Sequence, residues 1–193
     1  MEIRVIRSIV FALCLTLPLP SLAECLADVQ LPLDLTFNGN VHSEILANEG
    51  DIIRYRQYDF ERKKFMEMTV QAGIFVLLAD KYPGDAATFH WSTFLPGRKD
   101  IVPGAKFHAE ASVTRPEVAQ PNSYVLDVNV LGAEDLNILG CHFPVMKIMV
   151  TNREGKKPAL VVTKWLHMPT LITLRGEFIE GGVLHVNEVT AIN

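Results

Sequence analysis

The 193-residue chain has no long segment in which apolar residues recur at helical spacing, which argues against an all-helical fold. It has no glycine-rich phosphate cradle: the pair Gly181-Gly182 joins two extended segments and opens no helix. Neither CxxC nor HxxxH spacing occurs, so zinc is not signalled, and a GxSxG nucleophile elbow is absent. Positive charge is also scarce. The net charge is −4, which argues against nucleic acid or an anionic membrane surface as the main partner. No uninterrupted apolar run reaches the roughly 20 residues that a spanning helix needs.

What is present begins at the N-terminus. Arg4 and Arg7 precede the apolar run 8–19, which Pro18 and Pro20 interrupt, and Ser21-Leu22-Ala23 supplies small residues. This is the layout of a bacterial secretory signal peptide over 1–23, with cleavage expected between Ala23 and Glu24. Lipidation of Cys25 is not expected, because the charged Glu24 stands in front of it. The expected product is a periplasmic chain, 24–193, long enough for one domain with a real core and no transmembrane anchor.

Three cysteines are encoded, and Cys14 leaves with the signal. Cys25 and Cys141 then remain in an oxidising compartment, where a disulfide between them is the expected outcome. Closing so long a loop is worth about 4–5 kcal/mol in the chain-entropy model. Cys141 lies beside His142, which raises two rivals, a catalytic thiol and a metal site. On a strand, neighbours point to opposite faces, so this histidine is badly placed to activate the thiol.

Period-2 alternation runs through the rest. Leu33, Leu35 and Phe37 alternate with polar residues before an Asn38-Gly39 turn. Met66, Met68 and Val70 share a face, as do Phe89, Trp91 and Thr93. So do Phe107, Ala109, Ala111 and Val113, and then Tyr124, Leu126, Val128 and Val130. The run IFVLLAD, 74–80, reads as a strand buried on both faces. The last third reads as a meander with strands near 133–139, 143–150, 159–168, 170–179 and 183–192, while 57–67 could hold a helical turn. Ten or more short strands predict an all-β, single antiparallel domain, either a curved sheet or half-barrel or a two-sheet sandwich.

Candidate chemistry is thin. Six histidines, at 42, 90, 108, 142, 167 and 185, are scattered singly over different strands. His90, Ser92 and Glu110 could form a hydrolytic set if the fold assembled them. Glu134-Asp135 are sequence neighbours and so face opposite ways on a strand, unlike a glycosidase pair. The charged segments 61–64, 97–100 and 152–157 read as solvent-facing turns, or as a basic rim around Lys63, Arg98 and Lys156 if one end of the fold gathers them. No catalytic, cofactor-binding or metal-binding residue is assigned. The distinctive feature is apolar richness, 49% of the chain, which demands a cover on both faces of a sheet.

Residues 139–178 carry Gly140-Cys141, then Phe143, Pro144 and Val145, a polar turn, Trp165, Pro169, Leu174 and Arg175. This order resembles the C-terminal half of exported proteobacterial β-sheet domains of unknown function, which are similar to curved-sheet envelope proteins such as lipoprotein carriers. The resemblance implies a curved antiparallel sheet and a role in the cell envelope, and it transfers no site residue. Three functions are compatible with these observations. One is a non-catalytic envelope protein acting as a scaffold or binding a protein partner. Another is a carrier or sensor of a lipid or other apolar ligand, and the third is a hydrolase built around His90.

Overall fold

A computed structural model describes residues 31–38, 41–58, 64–84 and 86–193. Twelve antiparallel strands close into a barrel. They are β1 (Leu33–Phe37), β2 (Val41–Glu49), β3 (Ile52–Tyr58), β4 (Phe65–Gln71), β5 (Phe75–Tyr82) and β6 (Ala86–Trp91), then β7 (Lys106–Thr114), β8 (Asn122–Ile138), β9 (Cys141–Glu154), β10 (Leu160–His167), β11 (Ile172–Glu180) and β12 (Val183–Ile192). Each strand pairs with its sequence neighbours, and β1 pairs with β12 to seal the cylinder. Asp34 and Asn193 exchange backbone hydrogen bonds of 3.0 and 2.9 Å at that seam. Closure gives every strand a partner on both sides, while β8 beyond Val130 and β9 before Val145 run on as a hairpin paired only with each other.

The expected all-β single domain is therefore observed, with the curved sheet fully closed rather than split into a sandwich. Tight turns permit the meander. Gly181 and Gly182 sit at φ +59° and +80°, the left-handed pair of a two-residue hairpin turn, as do Leu139 and Gly140 at +55° and +79°.

Most expected inward faces are observed. Leu33 and Leu35, Ala109 to Val113, and Leu126 to Val130 are buried at alternate positions. Two readings change. The run 74–80 is buried on both faces only at its start, at Ile74 and Phe75; further along β5 Leu78 is 39% exposed and Asp80 is exposed. The two expected strands around 123–130 and 133–139 are one strand, β8, which bends through a bulge between Val130 and Gly132. Opposite it, the buried side of β9 changes from Cys141, Phe143 and Val145 to Met146, Ile148 and Val150. Gly39 of the Asn38-Gly39 turn, the segment 59–63 that includes Lys63, and the N-terminal segment with Cys25 fall outside the described residues.

The two ends of the barrel differ. Chain direction alternates, so the connections β2–β3, β4–β5, β6–β7, β8–β9 and β10–β11 lie at one end and the others at the opposite end. The long β6–β7 connection closes the first end. Leu95 and Ile101 are buried there, and a single turn of 3-10 helix, Arg98–Asp100, lies between them. The Arg98 guanidinium donates to the Gly50 carbonyl at 2.7 Å and the Pro169 carbonyl at 2.9 Å, tying the plug to two other turns. Gly73, in the β4–β5 turn at the same end, is pressed against β10 and the β10–β11 turn. At φ +70°, a Cβ there would lie 2.6 Å from both Leu166 Cδ1 and the Leu171 carbonyl.

Candidate functional site

A twelve-stranded cylinder is wider than the eight-stranded kind that side chains just fill. This one is filled on one side. Phe75 meets Trp91 edge to face at 5.7 Å, Tyr124 meets Phe89 at 5.1 Å and Trp91 at 5.9 Å, and Trp91 Nε1 donates to the Val76 carbonyl at 2.9 Å. On the other side, between β1–β3 and β10–β12, smaller inward residues leave a cavity of about 310 Å³. That volume is at the lower end of the roughly 300–1,000 Å³ of small-molecule sites.

Its wall is mostly apolar, with Leu35, Ile45, Ile53, Val162 and Phe178 among the lining residues. The polar lining consists of Ser43, Gln57, Thr173 and Asn187, together with Tyr55 and Lys164. Tyr55 donates to Met68 Sδ at 3.6 Å, and burial pushes its phenol up to about 12. Lys164 is the outlier. In register it lies between Ile148 on β9 and Gly176 on β11, and Gly176 in turn faces Asn187 on β12. The side chain is half-buried in the cavity wall. Burial lowers its pKa, because the charged form loses hydration without gaining a partner. Among the described residues it makes no hydrogen bond or ion pair.

Lys164 does not stand out among the candidates read from sequence, although a signal exists. In VVTKWL, 161–166, Val162, Lys164 and Leu166 share one parity, and a lysine at an inward position is unusual. Gly176 does not stand out either. A Cβ at Gly176 would come no nearer than 4.0 Å to any atom, so its lack of a side chain leaves open space beside Lys164.

The residues considered from sequence are placed elsewhere. His90 is on the outer wall, 3.2 Å from Thr114 Oγ1, while Ser92 donates to the Glu110 backbone carbonyl at 3.0 Å. The Glu110 carboxylate lies 3.2 Å from His108, so the fold does not assemble His90, Ser92 and Glu110 as a hydrolytic set. His108 is also 2.7 Å from Asp127; these two carboxylates, Asp127 first, raise its pKa. His167 is buried edge-on against Phe143, 2.8 Å from Thr170 Oγ1, and burial lowers its pKa. Among the described residues, no group of three or more His, Cys, Asp or Glu is close enough to hold a metal ion.

Glu134 does structural work on the outer wall. It accepts from Trp165 Nε1 at 2.7 Å and Lys147 Nζ at 3.1 Å, and these bonds hold its carboxyl below the usual range. Lys147 and Arg175 lie 4.9 and 5.0 Å from the Trp165 ring centroid, close enough for cation–π attraction. The supposed basic rim is divided. Arg98 belongs to the plugged end, and the turn carrying Lys156 and Lys157 belongs to the other. Cys141 is 2% exposed and His142 faces out, so the two point apart as expected on a strand. Cys25 lies outside the described residues. No described helix is long and apolar enough to cross a membrane, which says nothing of strands.

No protein-family model matches the chain, and a search of curated proteins finds no match. Among solved structures, the chain is similar to the crystal structure of the hypothetical lipoprotein YmcC from Escherichia coli. The match has 13% identity and a TM-score of 0.49, and it covers 82% of this chain and 87% of that one.

Proposed function

We propose that the protein is an exported barrel that holds a small apolar ligand in its interior, as a carrier or sensor in the bacterial envelope. The observation that carries this reading is the cavity of about 310 Å³, walled mostly by apolar side chains between β1–β3 and β10–β12. At the unplugged end, Leu160, Ile179, Val183 and Leu184 are 40%, 66%, 59% and 58% exposed, which suits entry of an apolar molecule there. Export would follow cleavage after Ala23. A disulfide from Cys25 to the buried Cys141 would then tie the mature N-terminus to β9.

The test uses N-phenyl-1-naphthylamine, a neutral probe whose fluorescence rises in apolar surroundings. Saturable enhancement at one probe per chain is expected, and Gly176→Leu, which fills the cavity, is expected to abolish it. No enhancement, or enhancement indifferent to Gly176→Leu, overturns the reading. A second reading, an envelope scaffold or partner-binding module, draws on the same exposed apolar residues. It is favoured if this probe fails and substituting Ile179 and Leu184 by serine dissociates a complex isolated from the periplasm.

A further inference from the structure

A half-buried ammonium that lines an apolar cavity without a counter-ion is costly, and partial removal of water strengthens its attraction for an anion. The cavity lining also carries hydroxyls, amides and a phenol, but among the described residues no aspartate or glutamate lines it. Among the described residues the wall therefore leaves one positive charge uncompensated in a mostly apolar chamber. Space for a compensating group is already present, because Gly176, the cross-strand neighbour of Lys164, puts no side chain into the cavity. The rest of the wall, including Leu35, Ile45 and Val162, suits hydrocarbon.

Building on the apolar-ligand reading above, we propose that the natural ligand is a single-chain amphiphile with an anionic head, and that Lys164 pairs with that head inside the barrel. Specificity then comes from one charge, and the tail is accepted by shape and apolarity. The volume suits one slender chain. The oriented Asn187 and Thr173 side chains are available as further donors to the same head group.

The experiment displaces N-phenyl-1-naphthylamine from the mature protein with dodecanoate, dodecyl sulfate, dodecanol and dodecyltrimethylammonium. Both anions are expected to bind the wild type about tenfold or more tighter than dodecanol, and the cation more weakly than dodecanol. Separate carboxylate and sulfate arms show which anionic head is preferred. In Lys164→Met the preference for anions is expected to vanish while dodecanol binding persists, and in Lys164→Arg it is expected to remain. Because Lys164→Met puts an apolar side chain in an apolar wall, it is expected to fold, with its melting temperature as the check. Equal binding of dodecanoate and dodecanol to the wild type, or an anion preference that survives in Lys164→Met, overturns the proposal. Failure of every alkyl compound and of the probe would instead remove the apolar-ligand reading itself.

Discussion

From β5 to β9 the barrel's inward positions carry Phe75, Phe89, Trp91 and Tyr124, locked edge to face. From β10 round to β3 the inward positions mix Lys164, Thr173, Gly176 and Ser43 with Phe37, Tyr55 and Phe178, and a cavity remains among them. The missing side chain at Gly176 and the small ones at Ser43 and Thr173 help separate a packed half from an open one. A cylinder of this width cannot be filled by aliphatic residues on all sides. The aromatic half holds the wall in shape, and the other half is thereby free to stay hollow.

The strongest way to break this contrast is to empty the packed half. Phe75 is fully buried, and Phe75→Ala is expected to cost about 3–5 kcal/mol in urea unfolding. Adding volume sharpens it. Ala109→Leu, in the packed half, is expected to cost about 1–3 kcal/mol. Gly176→Leu, in the hollow half, is expected to leave stability nearly unchanged.

Lys164 gives the next effect. Lys164→Met is expected to stabilise the protein by about 1 kcal/mol at neutral pH, because the half-buried cation has no partner among the described residues. The sign with pH follows from the lowered pKa. The folded state binds fewer protons than the unfolded one, so stability rises with pH from the lowered folded value up to about 10.4, the unfolded value. The advantage of Lys164→Met should shrink over that interval, measured by urea midpoints of the two proteins at each pH.

A smaller loss tests the plug. Arg98→Ala removes two hydrogen bonds to carbonyls and is expected to cost about 1–2 kcal/mol, with faster hydrogen exchange confined to residues near 95–101. The smallest effect is on the outer wall of the packed half. The raised pKa of His108 means its pairing contributes fully below about 6.5 and is lost as pH rises through the folded value. In Asp127→Asn, titration of the His108 ring by NMR should move back toward 6.5.

Much of this fold was legible because a strand writes itself as alternation. Phe107 to Val113 and Tyr124 to Val130 show their faces in the sequence, and the structure buries those faces. The continuity of β8 was not legible, because its bulge beside Gly132 shifts the alternation and imitates a strand break. The cavity was harder still. Lys164 and Gly176 are ordinary surface residues by composition, and they become a pair only when β10 and β11 are in register. His90, Ser92 and Glu110 failed in the opposite sense: the strands bring them near one another, but other partners engage their functional atoms.

By itself the sequence determined a pleated, single-domain chain with its inward faces assigned, since period-2 patterning and turn glycines act over a few residues. Only the tertiary structure decided that the sheet closes between β1 and β12, that one half stays hollow, and that a lone ammonium sits inside. Those outcomes depend on cylinder width and on pairing between residues far apart in the chain, which no local pattern records.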